Sequence, residues 1–254
     1  MIDLHFHALP GLDDGPADLG AAVELVSAAA EDGVEGIVAT PHVNWEWQNG
    51  PGAIADATAR LRARLAAEGV AVQIHQGAEV GLTRAHELPD PQLRELRLGA
   101  GPWLLVEAPH TPGSTAVEHM LLTLQHRGHR IVLAHVERCP VFIDDQPLLA
   151  RLVASGMLTS ITAGSLSGAF GRVARDAALR FLAAGLVHNV SSDAHNLARR
   201  PPGLLSHLDA AGLRPQAEWL VRQVPRAILT GTELPPPPPW PAPPPRRRLR
   251  SWLR

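Results

Sequence analysis

The sequence contains no tyrosine and no lysine, and Cys139 is the one cysteine among its 254 residues. Aromatic side chains make up only 4% of the chain, which argues against a nucleic-acid platform that stacks bases. A single cysteine excludes an internal disulfide and is typical of a reducing compartment. We find no apolar run long enough to span a membrane and no signal-peptide pattern at the N-terminus. We therefore expect a cytoplasmic protein.

The C-terminal end differs in composition from the rest of the chain. Residues 235–254 contain nine of the 24 prolines and five arginines without an acidic residue, whereas residues 1–234 contain 18 arginines against 25 acidic residues. Proline-rich segments are extended and stay outside folded domains. We predict a folded domain over residues 1–230 and a disordered Pro/Arg-rich tail over residues 231–254. Two interpretations of the tail stay open: a solvated end, or weak contact with a membrane or an acidic partner.

Apolar residues make up 45% of the chain, enough for a buried core, and they fall into short runs separated by helical patterns. Seven runs predict strands: Ile2–Phe6, Gly36–Ala39, Val70–Gln76, Trp103–Val106, Arg130–Ala134, Leu158–Thr162 and Leu186–Ser191. Seven segments predict helices: Leu19–Asp32, Ile54–Glu68, Ala116–Arg127, Pro147–Ser155, Val173–Ala184, 203–211 and 215–223. This alternation predicts an α/β fold with parallel strands, and the chain length favours a barrel over an open sheet.

Residues able to bind metal close or follow six of the seven predicted strands. They are His5, His7, His42, Glu79, Glu107, His135, Asp193 and His195, and the Asp13-Asp14-Gly15 loop offers one more carboxylate. The carboxyl ends of parallel strands share one rim of a barrel, and side chains two positions apart on a strand point the same way. Imidazoles and carboxylates gathered there need cations, so we predict two or three ions of the Zn, Mn or Fe type.

Eight further histidines fit no position on this rim. They are His75, His86, His110, His119, His126, His129, His188 and His207. We interpret them as surface or packing residues. His110 is the exception, because it follows Glu107 closely and could support that carboxylate from outside the ligand set.

The opening residues 1–16, MIDLHFHALPGLDDGP, resemble the start of bacterial protein-tyrosine phosphatases of the PHP (polymerase and histidinol phosphatase) superfamily, the CpsB/YwqE type of capsule and exopolysaccharide loci. The similarity continues in the same order to about residue 225, and the whole set of motifs is highly specific. The further matching segments are 39–42 (ATPH), 77–79 (GAE), 106–107 (VE), 134–138 (AHVER), 165–171 (SLSGAFG), 192–196 (SDAHN) and 200–202 (RPP).

The resemblance implies a distorted (β/α)₇ barrel of the PHP type, with three divalent metal ions at the C-terminal ends of the strands. Manganese is the expected metal, with Fe, Zn and Mg as alternatives. The implied ligands form three groups: His5, His7, Glu79 and Asp193; Glu79, Glu107 and His135; and Asp14, His42 and His195. Arg138 and Arg200 resemble the family's phosphate-binding pair. From the residues alone, Asp13 and Arg199 stay open as alternatives to their neighbours.

The fifth motif departs from the family pattern at two positions. Val136 stands where the family usually has proline, and Cys139 where it usually has tyrosine. Neither position binds metal, so we expect altered packing or substrate contacts. Cysteine phosphatases also need an arginine six positions after the cysteine, and Asp145 stands there. The sequence therefore excludes a thiol-based phosphatase.

The resemblance implies an enzyme that hydrolyses phosphotyrosine in proteins. The expected substrate and partner is the tyrosine-rich tail of a bacterial tyrosine kinase that controls capsule or exopolysaccharide synthesis. The same metals would serve a phosphomonoesterase for a small metabolite such as histidinol phosphate, or a nuclease, although the acidic body argues against nucleic acid. A metal-stabilised interaction module without catalysis is the alternative outside enzymes.

Overall fold

The computed structural model describes residues 1–111 and 116–240. Within them the strands are β1 (Ile2–Phe6), β2 (Gly36–Ala39), β3 (His42–Val43), β4 (Gln73–Gln76), β5 (Glu79–Gly81), β6 (Trp103–Glu107), β7 (Arg130–Leu133), β8 (Leu158–Thr162) and β9 (Asn189–Ser191). The α-helices are α1 (Leu19–Glu31), α2 (Pro51–Ala67), α3 (Leu82–Glu87), α4 (Asp90–Glu95), α5 (Val117–His126), α6 (Pro140–Asp144), α7 (Gln146–Ala154), α8 (Ala163–Ser167), α9 (Gly171–Ala183), α10 (Leu205–Ala210) and α11 (Val224–Thr230). Two 3₁₀ helices (Val136–Arg138 and Arg214–Gln216) and a π-helix (Trp219–Gln223) complete the description.

All pairings between these strands are parallel. One sheet has the order β1-β2-β4, and the other has the order β3-β5-β6-β7-β8-β9. The two sheets are continuous through the chain, because β2 leads into β3 and β4 leads into β5 after two residues each. A parallel bridge between Phe6 and Ala194 then joins β1 to the segment after β9. The predicted parallel α/β fold is confirmed, and the carboxyl ends of the strands lie along one edge.

The helices pack on the sheets, and the strands are buried in the interior of the fold. Every residue of β2 and β8 is buried, as expected of parallel strands enclosed by helices. Two of the covering helices begin at aspartate N-caps. Asp18 accepts the N–H of Ala21 at α1, and Asp145 accepts the N–H of Leu148 at α7.

Two predicted strands begin later than expected. The strand predicted over Val70–Gln76 begins at Gln73, and the strand predicted over Leu186–Ser191 begins at Asn189. In each case the leading apolar residue closes the preceding helix, since Val70 N–H donates to Leu65 O and Leu186 N–H donates to Phe181 O. This is the Schellman arrangement, in which an apolar residue after a left-handed glycine packs back on the helix. Apolar character alone cannot separate that position from the start of a strand.

The first part of the predicted tail packs on the folded domain. The indole N–H of Trp219 donates to Pro235 O at 3.1 Å, and the Gln216 amide donates to Pro239 O at 3.0 Å. The Trp240 ring meets the Trp219 ring edge-on at 5.8 Å. We call residues 235–240 the proline strap. The strap thus lies against the domain that we predict to end at residue 230, because proline carbonyls still accept hydrogen bonds from side chains.

The arginine-rich part of the predicted tail, within residues 241–254, lies outside the described residues. None of the helices within the described ranges has the length and apolar character needed to cross a membrane.

Candidate metal centre

The nine predicted metal ligands lie in one cluster at the carboxyl ends of the strands. Each of them has a donor atom within 4.8 Å of donor atoms from at least two others. The groups of donors that the structure brings together are His7-Asp14-His42-His195, His5-His7-Asp193, His5-Glu79-His135, Glu107-His110-His135 and His42-Glu79-Glu107. These groups share members, so the cluster is continuous.

The innermost part of the cluster has the spacing of metal ligands. Nε2 of His5 and Nε2 of His7 are 3.1 Å apart. Glu79 Oε2 lies 3.2 and 3.4 Å from these two nitrogens, and Asp193 Oδ1 lies 3.3 and 3.4 Å from them. Four ligands about 2.1 Å from a central ion would lie about 3.4 Å apart.

Buried atoms without partners also point to a cation. Glu79 Oε2 and Asp193 Oδ1 are buried and make no hydrogen bond in the structure. Leaving such oxygens without partners is unfavourable unless a positive group sits among them. Donors of both imidazole and carboxylate type suit Zn, Mn or Fe. The residues present therefore fit divalent metal ions.

Two outer groups extend from this centre. His135 Nε2 lies 2.7 Å from Glu79 Oε1 and 3.6 Å from Glu107 Oε1. On the other side, Asp14 Oδ1 lies 3.2 Å from His195 Nε2 and 3.6 Å from His42 Nε2.

The two aspartates of the Asp13-Asp14-Gly15 loop have different surroundings. Asp13 Oδ2 lies 2.6 Å from His7 Nδ1 and accepts the backbone N–H of His42 at 2.9 Å. It thereby holds the His7 ring with Nε2 directed into the cluster, as carboxylates behind metal-binding histidines do. Asp14 faces the cluster instead. The structure thus separates two residues that the sequence left as alternatives.

The charges of the cluster shift the pKa of its buried groups. Burial disfavours the charged form of His7, but the hydrogen bond with Asp13 and the nearby carboxylates of Asp193 and Glu79 outweigh it and raise the pKa of His7 well above its usual value. Burial would likewise raise the pKa of Asp193, but the charge of His5, the adjacent His7 ring and the charge of Arg200 hold that pKa well below its usual range. Imidazolium and arginine side chains thus keep the carboxylates ionised.

Arg138 and Arg200 meet at the same carboxylate. Both guanidinium groups donate to Asp193 Oδ2, and Arg200 also donates to His195 Nε2 at 2.9 Å. The guanidinium of Arg138 lies 4.4 Å from the centre of the Phe170 ring. Arg199, the alternative to Arg200, is exposed and forms none of these contacts. Two positive groups therefore flank the cluster at its edge.

Strained backbone marks two of the ligand positions. His135 (φ 30°) and Asp193 (φ 55°) are the two non-glycine residues with left-handed backbone in the described part of the chain. Such conformations are unfavourable and persist where surrounding contacts impose them, often at functional sites. At Asp193 the contact comes from β1, because Asp193 N–H donates to His5 O and His7 N–H donates to Ala194 O.

Sequence reasoning missed two buried carboxylates beside the cluster. Asp3 accepts the N–H of Ser192 at 3.1 Å, and burial raises the pKa of Asp3 to about 6. Glu137 Oε1 accepts the N–H of Thr162 at 3.0 Å and the hydroxyl of Ser165 at 2.7 Å. Asp3 could have been found, because it precedes His5 by two positions on the same strand face. For Glu137 the sequence carries no such signal.

The remaining histidines and the cysteine have other surroundings. Among the described residues, His110 alone of the eight non-rim histidines joins a ligand group, with Nε2 3.0 Å from Glu107 Oε1. His86 and His129 bond to the Met120 carbonyl and to Asp90. Burial raises the pKa of the Cys139 thiol to about 12, so this residue is not a thiolate nucleophile.

Comparison with known proteins shows a family to which this chain is similar. Residues 1–216 match the family model described as capsular polysaccharide synthesis, CpsB/CapC. The chain is 35% identical over 201 residues to tyrosine-protein phosphatase YwqE of Bacillus subtilis (strain 168), covering 79% of each protein. It is 30% identical over 203 residues to the putative tyrosine-protein phosphatase CapC of Staphylococcus aureus, again covering 79% of each.

Solved structures give the same likeness. The fold superposes with a TM-score of 0.80 and 32% identity on one of the crystal structures of YwqE from Bacillus subtilis and CpsB from Streptococcus pneumoniae, described as unique metal-dependent tyrosine phosphatases; 95% of this chain and 99% of that chain are covered. L-hydantoinase of Arthrobacter aurescens superposes with a TM-score of 0.53 at 13% identity, covering 91% of this chain and 70% of that one. At that identity the likeness extends to the fold alone.

Proposed function

The chain belongs to the CpsB/CapC family of capsular polysaccharide synthesis proteins, and we propose that it is a metal-dependent protein-tyrosine phosphatase. The observation that carries the proposal is the cluster of nine imidazole and carboxylate donors beside two arginines. Relatives named tyrosine-protein phosphatases over most of this chain support it. We also propose that the curled parallel sheets form a distorted (β/α)₇ barrel.

We propose that the cluster holds three divalent ions, with manganese as the expected metal and Fe, Zn and Mg as alternatives. The ligand groups are His5, His7, Glu79 and Asp193; Glu79, Glu107 and His135; and Asp14, His42 and His195. When bound, the ions supply activation of water and stabilisation of charge on phosphate oxygens. Asp13 contacts His7 Nδ1 and so keeps His7 Nε2 directed toward the proposed metal site.

Arg138 and Arg200 are the proposed phosphate-binding residues. A guanidinium group binds two phosphate oxygens at once and stays charged at all physiological pH values. Stacking of Arg138 on Phe170 limits the positions that its guanidinium can adopt. Charge that develops on the phosphate oxygens during hydrolysis would therefore meet two fixed positive groups. The tyrosinate leaving group, with a pKa of about 10, departs more easily than a serine alkoxide.

The proposed substrate is a phosphotyrosine protein, and specifically the tyrosine-rich tail of a bacterial kinase that controls capsule or exopolysaccharide synthesis. The family and the relatives' names support a phosphoprotein in that context. The metal cluster by itself would also serve a small phosphomonoester such as histidinol phosphate. Rates of hydrolysis measured on a phosphotyrosine peptide and on histidinol phosphate distinguish these two substrate classes.

Phosphate release from a phosphotyrosine peptide in the presence of Mn²⁺ tests the proposal. We expect hydrolysis that chelator abolishes and that the double variant Asp193→Ala/His195→Ala lacks. Histidinol phosphate should be a poor substrate in parallel. A strong preference for histidinol phosphate would contradict the proposed phosphotyrosine substrate but not the metal site. If metal-loaded protein hydrolysed neither compound, the proposed phosphatase activity would be contradicted.

Two neighbouring arginines provide a matched pair for the phosphate site. Arg200→Gln should lower kcat/KM for the peptide by about 100-fold or more, because it removes a charged donor used in the transition state. Arg199→Gln removes the same charge one position away and should stay within about threefold of the wild type. Equal losses in the two variants would contradict the assignment.

A further inference from the structure

The cluster is accessible from one side. The Asp14 side chain is 52% exposed, whereas the Asp193 and His195 side chains are 1% exposed. His42 and Glu107 are the other ligand positions with partial exposure. Substrate must therefore approach over Asp14, His42 and Glu107, and chain segments next to these residues border its path.

The loop that follows His42 on this side is held in one conformation. We call residues 44–49 the rim loop. Asn44 Oδ1 accepts the backbone N–H groups of Glu46 and Trp47 at 2.9 and 2.8 Å. The Asn49 amide donates to His42 O at 2.9 Å and to Leu12 O at 2.7 Å, which ties the rim loop to the loop carrying Asp14. A loop fixed at both ends presents its side chains without a large entropic cost on binding.

The rim loop presents a tryptophan to solvent. Trp45 is 50% exposed, and its indole N–H donates to Thr83 Oγ1 at 3.2 Å. The guanidinium of Arg84 lies 5.1 Å from the centre of the Trp45 ring. An exposed indole contributes little to a core, whereas tryptophan and arginine are both among the side chains that are enriched in binding hot spots.

Arg84 has unused binding capacity. None of the carboxylates in the described ranges forms an ion pair with it, and its Nε is buried without a hydrogen-bond partner. A second tryptophan–arginine pair among the described residues, Trp103 with Arg130, differs because the Trp103 ring is buried. The pair at the rim thus combines an exposed aromatic surface with a positive group that no side chain of the described chain neutralises.

The pair lies close enough to the cluster to meet a bound peptide. His42 and Glu79 are opposite each other on β3 and β5, and Trp45 and Arg84 follow them by three and five residues. Three residues span at most about 10 Å, so the Cα atom of Trp45 lies no farther than that from the Cα atom of His42. A peptide whose phosphotyrosine enters the cluster would pass the pair with a residue two to four positions away.

We propose that Trp45 and Arg84 form a docking site for an acidic side chain of the peptide that carries the phosphotyrosine. The inference rests on the proposed phosphatase function and adds a selectivity to it. A carboxylate of the substrate would pair with Arg84, and Trp45 would hold the arginine in place and cover the peptide chain. Pairing partly shielded by the indole would favour acidic peptides over neutral ones.

Steady-state kinetics on two phosphotyrosine peptides test this site. One peptide carries glutamate two to four positions on either side of the phosphotyrosine, the other carries alanine there, and free phosphotyrosine serves as a substrate too short to reach the pair. For the wild type we expect a KM for the acidic peptide roughly fivefold to tenfold below that for the alanine peptide. Arg84→Gln should abolish this difference with little change in kcat, and Arg84→Lys should retain most of it.

Control variants separate the site from general effects. Arg130→Gln removes the exposed arginine that lies over the buried Trp103 ring, and it should keep the wild-type preference. Trp45→Phe should keep more of the preference than Trp45→Ala, and all variants should hydrolyse free phosphotyrosine like the wild type. Equal KM values for both peptides with the wild type, or an unchanged preference in Arg84→Gln, would overturn the docking site. Absence of hydrolysis of every phosphotyrosine substrate would instead overturn the proposed function.

Discussion

Neighbouring residues in the metal centre have different roles, and their positions in the sequence do not show which residue has which role. Asp13 and Asp14 are adjacent, yet Asp13 contacts His7 Nδ1 from behind and Asp14 faces His195 Nε2 from the front. The difference arises from the turn in which Gly15 N–H donates to Asp13 Oδ1 and directs that side chain inward. One carboxylate therefore orients a ligand, while its neighbour is available as a ligand itself.

Replacing Asp13 by asparagine tests this division. The amide keeps the shape of the carboxylate but lacks its charge, so the His7 ring would lose the partner that fixes Nε2 toward the cluster. We expect the affinity for Mn²⁺ to fall about 10-fold to 100-fold. Titration of Mn²⁺ against phosphatase activity and against thermal stability measures the change.

Asp18→Asn is the matched control, because this aspartate caps α1 away from the cluster and asparagine is an equally good N-cap. It should leave both Mn²⁺ titrations unchanged. A wild-type Mn²⁺ response in Asp13→Asn would show that the contact between Asp13 and His7 has no part in metal binding.

At the residue scale, spacing in the sequence predicted which side chains lie close together. It did not predict which of two adjacent residues contacts the cluster. His5 and His7 were predicted together because alternate residues of a strand share a face. The choice between Arg199 and Arg200 depends on the bridge between Asn196 and Arg200, a loop contact without a periodic pattern. The left-handed backbone at Asp193 is likewise imposed by β1, which is distant in sequence.

At the scale of elements, apolar runs predicted the strands, and the carboxyl ends of the strands predicted the position of the site. The runs did not reveal that two strands are interrupted, at Thr40-Pro41 and Gly77-Ala78. Proline lacks the N–H that a continuous ladder needs, so β2 and β3 separate there. Short helices such as α3 and α4 were missed because six residues carry too little periodicity.

The proline strap gives a prediction about one element. Trp240 of the strap packs on Trp219, and Leu234 just before the strap packs against the core, so removing residues 234–240 exposes apolar surface that the folded chain buries. We expect a chain that ends after Glu233 to lose about 1–3 kcal/mol of stability, which lowers Tm by several degrees. Thermal unfolding followed by circular dichroism measures the shift.

Two comparisons identify the source of the loss. Trp240→Ala in the full chain should reproduce about half of it or more, because the ring supplies most of the apolar contact. A chain that ends after Trp240 should unfold like the full chain, since its sequence predicts that residues 241–254 are solvated. If both truncations lowered Tm equally, the contacts of the strap would not explain the change.

At the scale of the whole molecule, the site exists only when the sheets are complete. Its ligands come from residue 5 to residue 195, and β1 lies between β2 and the segment after β9. An unfolded chain cannot bring these donors together, so metal ions bound at the cluster would bind the folded state far more tightly than the unfolded one. Metal binding is then coupled to global stability.

This coupling predicts that chelation destabilises the whole molecule. At a metal concentration 100 times the dissociation constant, one site contributes about 2.7 kcal/mol, which for a chain of this size corresponds to a Tm shift of about 5–10 °C. Differential scanning calorimetry of the Mn²⁺-loaded and chelator-treated protein measures the shift. Asp193→Asn should show a clearly smaller Mn²⁺ shift than the wild type, because it removes an anionic donor from one of the three proposed ligand groups. Asp209→Asn removes an exposed carboxylate that pairs with Arg214, and it should keep the full Mn²⁺ response. A Mn²⁺ shift of full wild-type size in Asp193→Asn would show that the Asp193 carboxylate has no part in binding the stabilising ions.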